Sequence, residues 1–323
     1  MKRRNVYIGM ALIAIATAAV FTFLFLYQTK DVKTGLLAVI KPDDAPDYSI
    51  SLTGDFNKPL SKPMDVTANS SFTYVSDTNN KRVLAFDTGG NLLFAFGEEG
   101  TGKGQFKFPY GISTDDQGKV FVADLYNGNI SVFDEKGKFI DYFAQKVMAD
   151  KGISAPAALR IIGKKVYMTD IKTSKAYVFD LNGKLLLEVG KPGTGDGELN
   201  APNGITADEE GNVYVVDTGN QRVQIFDSKG KFLKIINGSE NGKGQSVFVN
   251  PRGIGIDSRG IMYVVSNLTH LVYGFDKEGK KVFQFGGMGE DNGQFSLPNG
   301  LFIDKNDNVL ITDTLNIRVQ AFN

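Results

Sequence analysis

The sequence predicts an all-β fold, a six-bladed β-propeller behind one N-terminal hydrophobic segment, and three observations lead there. First, a Pro-x-Gly-Ile start recurs: the prolines at 63, 109, 156, 202, 251 and 298 are separated by 46, 47, 46, 49 and 47 residues. The pairs Phe86-Asp87, Phe133-Asp134, Phe179-Asp180, Phe226-Asp227 and Phe275-Asp276 keep nearly the same step. A fixed period of this size marks a repeat architecture. Second, each period holds four short β-rich runs. Third, the last repeat stops one run short, and an alternating run stands unclaimed at the other end of the chain.

Residues 109–155 show the grammar of one repeat. Gly111-Ile-Ser-Thr-Asp115 alternates, and Asp116-Gln-Gly118 turns the chain into Lys119-Val-Phe-Val-Ala-Asp124. A loop, Leu125-Tyr-Asn-Gly128, precedes Ile130-Ser-Val-Phe-Asp134, and Glu135-Lys-Gly137 turns into Lys138-Phe-Ile-Asp-Tyr-Phe143. Four runs joined by Gly/Asn/Asp turns, with no helical periodicity between them, read as four antiparallel strands. Four-stranded units at this period stack as propeller blades around a channel.

Closure sets the blade count. The sixth repeat ends at its third strand, Ile317-Arg-Val-Gln-Ala-Phe322, while Asp47-Tyr-Ser-Ile-Ser-Leu-Thr-Gly54 alternates like Leu92-Leu-Phe-Ala-Phe-Gly97. The N-terminal strand is therefore expected to complete the last blade, which shuts the ring and removes an open edge.

Ahead of the propeller, Val6 to Tyr27 is an uncharged apolar run preceded by Lys2-Arg3-Arg4. As a helix it spans roughly 33 Å, about the thickness of a bilayer's hydrocarbon core. A cleaved signal peptide has a shorter core followed by a small-x-small site; here the alanines lie inside the run and Phe21-Thr-Phe-Leu-Phe-Leu-Tyr27 follows them. An uncleaved single-pass signal anchor is the favoured reading. The basic cluster keeps the N-terminus cytoplasmic and places the rest outside the membrane. The expected organisation is an anchor at 1–27 (span 6–27), a proline-broken polar linker at 28–47, and the propeller at 48–323.

Composition excludes several chemistries. The chain has no Cys and a single histidine, His270, so disulfides, thiolate metal sites, a cysteine nucleophile and any multi-imidazole centre are ruled out. Net charge is zero, but residues 1–33 take five of the 36 basic and one of the 36 acidic groups. That leaves 31 basic against 35 acidic, a mildly acidic domain and a poor general binder of phosphate backbones.

Asp-Thr-x-Asn-x-Arg-Val stands at Asp77 to Val83, Asp217 to Val223 and Asp313 to Val319. Joined to Pro-x-Gly-Ile, Tyr-Val-x-Asp and Phe-Asp-x-x-Gly-Lys, it resembles the NHL repeat over residues 48–323. Blade three departs, because Pro156-Ala-Ala-Leu159 lacks the glycine, and its inner strand is expected to start differently. The resemblance implies a rigid interaction platform. Related six-bladed propellers include lactonases and the peptide-amidating lyase, and some NHL domains bind single-stranded RNA.

Recurrence separates scaffold from function. Asp77, Asp124, Asp170, Asp217 and Asp313, with Ser266 in blade five, occur once per blade and read as caps of the following turn. Gly97-Glu-Glu-Gly-Thr-Gly-Lys-Gly104 lacks the helix and the Ser/Thr of a phosphate loop. Asp304-Lys-Asn-Asp-Asn308 lacks the glycine and glutamate of a calcium loop and aligns with hairpin turns. His270 reads as a loop residue, Arg82, Arg222 and Arg318 as bridges between blades, and Lys119, Lys138, Lys184, Lys231 and Lys280 as solubilising groups.

What varies is the residue after each proline: Met64, Tyr110, Ala157, Asn203, Arg252 and Asn299, with Asp65 replacing the glycine of blade one. Alternating strand direction puts these on one face, together with the Asp-Thr-x-Asn-x-Arg loops, while the hairpin turns lie opposite. Asp65, Tyr110, Asn203, Arg252 and Asn299 are the expected ligand-binding rim of the channel mouth, suited to a polar ligand or a protein or peptide segment. No catalytic residue, metal ligand or cofactor is assigned. The expected function is a membrane-tethered extracytoplasmic binding or scaffold propeller. The alternative is a lactonase- or lyase-like enzyme with a channel metal, for which Asp65, Asn203 and Asn299 are conceivable ligands without a Glu partner. Nucleic acid is not an expected partner.

Overall fold

The computed structural model describes residues 44–239 and 242–323. The expected membrane span at 6–27 lies outside them, and among the described residues no helix is long and apolar enough to cross a membrane. Six four-stranded antiparallel sheets succeed one another along the chain. Blade one is Pro63–Ala68, Thr73–Asp77, Arg82–Phe86 and Leu92–Phe96, from the inner strand at the channel to the outer edge. Blade six is closed by the N-terminal strand β1 (Tyr48–Thr53), which pairs antiparallel with Arg318–Phe322. Reciprocal hydrogen bonds between the backbones of Asp47 and Asn323 extend that latch. The six-blade count and the closure are as the sequence requires.

The apolar cores lie between blades, not within them. One buried cluster joins each consecutive pair, including blades six and one, where Leu52, Leu60, Val66 and Phe86 meet Leu310 and Val319. The Phe-Asp signature splits into two jobs. Phe86, Phe133, Phe179, Phe226, Phe275 and Phe322 are all buried at the end of a third strand; Phe133 sits 4.8 Å from Phe96 and 5.7 Å from Phe106 of the preceding blade and its linker. Truncating such a ring costs about 3–5 kcal/mol. The aspartates close the outer hairpins, as when Asp134 Oδ1 accepts the N–H groups of Lys136 and Lys138.

Two details differ from the sequence reading. The inner strand of blade three, Pro156–Ile162, starts at its proline and slips register before Leu159, like blades one, two, five and six. Elsewhere the glycine lets backbones touch: a Cβ on Gly111 would lie 2.2 Å from Ala157 O. In blade three the Thr169 hydroxyl accepts from Ala158 N and donates to Asn203 O, as Thr312 does with Gly300 N and Met64 O in blade six. Blade four is the irregular one, its inner strand reduced to Ile205–Ala207. A short helix, α1 (Gln145–Asp150), also interrupts the connection between blades two and three, held by the buried side chain of Met148. No glycine-rich stretch occupies that connection, and a helix this short is stable only through packing.

Candidate functional site

The recurrent polar residues are structural, in a more specific way than a turn cap. Asp77, buried, accepts Ser61 N with one oxygen and binds Arg82 Nε and Asn80 Nδ2 with the other. Arg82 then donates to Lys58 O. Asp217 with Arg222 and Asp313 with Arg318 repeat this pattern. Each Asp/Arg unit clamps the incoming linker onto its blade. Asp124 and Asp170 do the same without an arginine, and also cap the following turn through Asn127 N and Thr173 N. The threonine of the motif bridges blades: Thr78 Oγ1 donates to Pro109 O, Thr218 to Pro251 O, and Thr314 to Pro63 O across the closure. His270 Nδ1 accepts Leu297 N, a linker contact of the same kind.

The five expected rim residues do converge at the end of the channel that carries the prolines, called here the narrow face. They do not line an open mouth. Tyr110, Asp65, Asn203 and Asn299 are buried, and Arg252 is half-buried. The Tyr110 hydroxyl reaches across the ring, 3.0 Å from Asn203 Oδ1 and 3.2 Å from Asn299 Oδ1, within donating distance of both. Burial pushes the Tyr110 pKa up, opposed by the Arg252 guanidinium and by Asn203. Met64, Tyr110 and Ala157 pack together beneath Phe108, Leu125 and Ile171. The space left among these residues is ≈ 10 Å³. The narrow end is plugged.

One residue the sequence reading passed over completes the plug. Arg160 crosses from blade three to blade one, its Nη1 and Nη2 donating to the two oxygens of Asp65 at 2.8 and 2.9 Å. The same guanidinium donates to Leu301 O and Ile112 O, and Ile112 N donates back to Asp65. Four blades thus meet on one buried ion pair. Its signal was present: Arg160 stands four residues after its proline, where the other blades carry Thr67, Ser113, Thr206, Gly255 and Phe302.

Beyond Arg160 the channel widens into a cavity of ≈ 1110 Å³ that opens on the opposite, hairpin face. Ser113, Thr206 and Phe302 line its depth, and Asp115 and Asp304 its turns. Both aspartates are engaged by backbone N–H groups of their own turns. Among the described residues no three His, Cys, Asp or Glu side chains gather to hold a metal ion. The donors considered for a channel metal are taken: Asp65 by Arg160, Asn203 and Asn299 by Tyr110.

Exposed apolar groups divide the two faces. Phe56, Tyr126, Val249, Leu268, Met288, Leu315 and Ile317 all sit on linkers or on loops between second and third strands, hence on the narrow face. The other large exposed apolar side chains, Ile50, Leu93, Ile140, Leu186 and Leu233, lie on the outermost strands. Among the described residues, none is on a hairpin turn of the wide face.

Comparison with known proteins agrees with this geometry. A family model described as a 6-bladed beta-propeller matches residues 149–237. Protein brain tumor of Drosophila melanogaster is 30% identical over 141 residues, 43% of this chain and 13% of that protein. Peptidyl-glycine alpha-amidating monooxygenase B of Xenopus laevis is 27% identical over 178 residues, 51% of this chain and 20% of that one. The chain is a six-bladed β-propeller related to NHL-repeat domains. It spans only a small part of the relatives it matches. A gluconolactonase from Xanthomonas campestris superposes with a TM-score of 0.57 at 13% identity, over 88% of this chain and 98% of that one. At that identity the likeness is one of fold.

Proposed function

We propose that this protein is a non-catalytic binding propeller that presents its narrow face to a protein or peptide, tethered to a membrane by residues 6–27 with the propeller extracytoplasmic. The observation that carries the reading is the asymmetry of the two faces. The narrow face is sealed by interlocked side chains and carries seven exposed apolar residues. Exposed apolar groups on the loops of one rigid face, with none on the turns of the other among the described residues, favour that face for a partner. The rim residues contribute by stiffening that face, with Arg252 the one left half-exposed at its centre.

A second reading rests on the ≈ 1110 Å³ cavity of the wide face, which has room for a small ligand. A lactonase- or lyase-like use of it would need a metal, and Asp65, Asn203 and Asn299 are already bonded to Arg160 and Tyr110.

The test uses photo-crosslinking residues placed singly in the full-length membrane protein at Leu315 or Tyr126 on the narrow face and at Asn306 on the wide face. Specific adducts are expected from the first two positions only. Adducts confined to Asn306 would overturn the reading. For the tether, Asn306→Cys in this cysteine-free chain gives one thiol, which an impermeant maleimide is expected to label on intact cells; labelling only after lysis would refute an extracytoplasmic propeller.

A further inference from the structure

The narrow face is not uniform. At the corner between blades one and two, Phe108 is half-buried on the plug with one side against Tyr126, ring centroids 4.6 Å apart. The ammonium groups of Lys62 and Lys81 both gather on this ring, 5.0 and 5.9 Å from its centroid. Lys81 Nζ also donates to Thr78 O. Among the described residues neither ammonium pairs with a carboxylate, although lysine pairs elsewhere, as Lys151 and Lys175 do with Glu188. Tyr126 is 66% exposed.

The two lysines stand at recurrent positions of the repeat. Both are in the left-handed region, with φ of 59° at Lys62 and 57° at Lys81. Lys62 precedes Pro63 and Lys81 precedes the third strand of blade one. The equivalent residues of other blades, Ala201, Asn250 and Leu297 before their prolines and Ser174, Gln221, His270 and Ile317 before their third strands, share this conformation. It therefore belongs to the repeat, and what is particular to this corner is that a lysine occupies both positions. Two cations on one aromatic ring repel each other, and each gains only about 0.5–1 kcal/mol from the ring at an exposed site. A carboxylate placed between them would relieve that repulsion.

We propose that this corner docks an acidic peptide segment, its carboxylates on Lys62 and Lys81 and a neighbouring apolar residue against Tyr126. The inference rests on the narrow face being the partner-binding side. Charge complementarity names the occupant: two unpaired ammoniums beside an exposed aromatic, with Arg252 extending the positive charge inward past Tyr110. A single-stranded nucleic acid fits less well. Such ligands stack successive bases on several exposed rings along a basic groove, and among the described residues Tyr126 is the only large aromatic exposed at this corner.

The experiment pans a random heptapeptide phage library on the full-length chain in detergent micelles, with melting temperature as the fold control. Enrichment of peptides with two or more Asp/Glu beside an aromatic or aliphatic residue is expected. The best of them, as a fluorescent peptide, is expected to bind at least tenfold more weakly to Lys62→Glu/Lys81→Glu, and severalfold more weakly to Tyr126→Ala and at raised salt. Lys62→Met/Lys81→Met gives the same readout if charge reversal impairs folding. Lys305→Glu on the wide face should leave affinity unchanged. Enrichment without acidic residues, binding indifferent to the lysines, or tighter binding of poly(U) RNA through the same lysines would each overturn the proposal. If the narrow-face cross-links persist in that case, only this corner is refuted; if they are lost too, the reading of the face itself fails.

Discussion

Asp65 and Arg160 are each an exception within their own blade, and together they form one interaction. Breaking a buried ion pair by removing one partner costs about 3–5 kcal/mol, because a charge is left stranded. Arg160→Met is expected to lower stability by about that much in urea melts. Adding Asp65→Asn should return a large part of it, so that the double variant is more stable than the two single costs predict; strict additivity would show that the pair does not hold the plug. Asp65 was visible in the sequence as a departure from glycine. Its partner was not, because the two stand 95 residues apart and meet only when the blades face one channel. Tyr110 illustrates the same gap. The variation at its position reads as an available binding group, yet the ring points inward and its hydroxyl is spent on Asn203 and Asn299. Substituting it therefore tests the plug as well as binding.

At the scale of the element, β1 is the piece that turns six repeats into a closed ring. It supplies the outer strand of blade six and buries Leu52 against the cluster shared by blades six and one. A chain lacking residues up to Thr53 exposes the whole edge of Arg318–Phe322, and an unpaired edge templates association. Such a chain is expected to elute as larger species in size-exclusion chromatography and to melt lower than a chain beginning at Asp44, which keeps the latch. Equal melting of the two would mean the ring does not depend on closure. This element was legible because a three-strand repeat and a spare alternating run are complementary features of the sequence itself. Helix α1 was not legible: its six residues show no repeat, and Met148 is placed only by packing between blades two and three.

At the scale of the whole molecule, the tyrosines buried between blades set an alkaline limit. Burial, and then the Asp257 carboxylate, push Tyr263 up to about 12. Burial likewise raises Tyr167, Tyr177 and Tyr273. In the unfolded chain these phenols ionise near the ordinary value of about 10. Their contribution is thus fully present below about pH 10 and is lost as pH rises from there, for Tyr263 through about 12. The urea midpoint is expected to be flat to about pH 10 and then to fall, less steeply in Tyr263→Phe; a midpoint unchanged to pH 12 would contradict the burial described. Blade number, closure, the sharing of loops between faces and the scaffold role of the repeated residues are all legible along the chain, because period and alternation are local properties copied six times. Which end of the channel is open, that the unlike residues form a plug, and that Arg160 spans it emerge only once the blades face one another. Those outcomes depend on how far side chains from different blades reach across a shared axis, and spacing along the chain carries no measure of that distance.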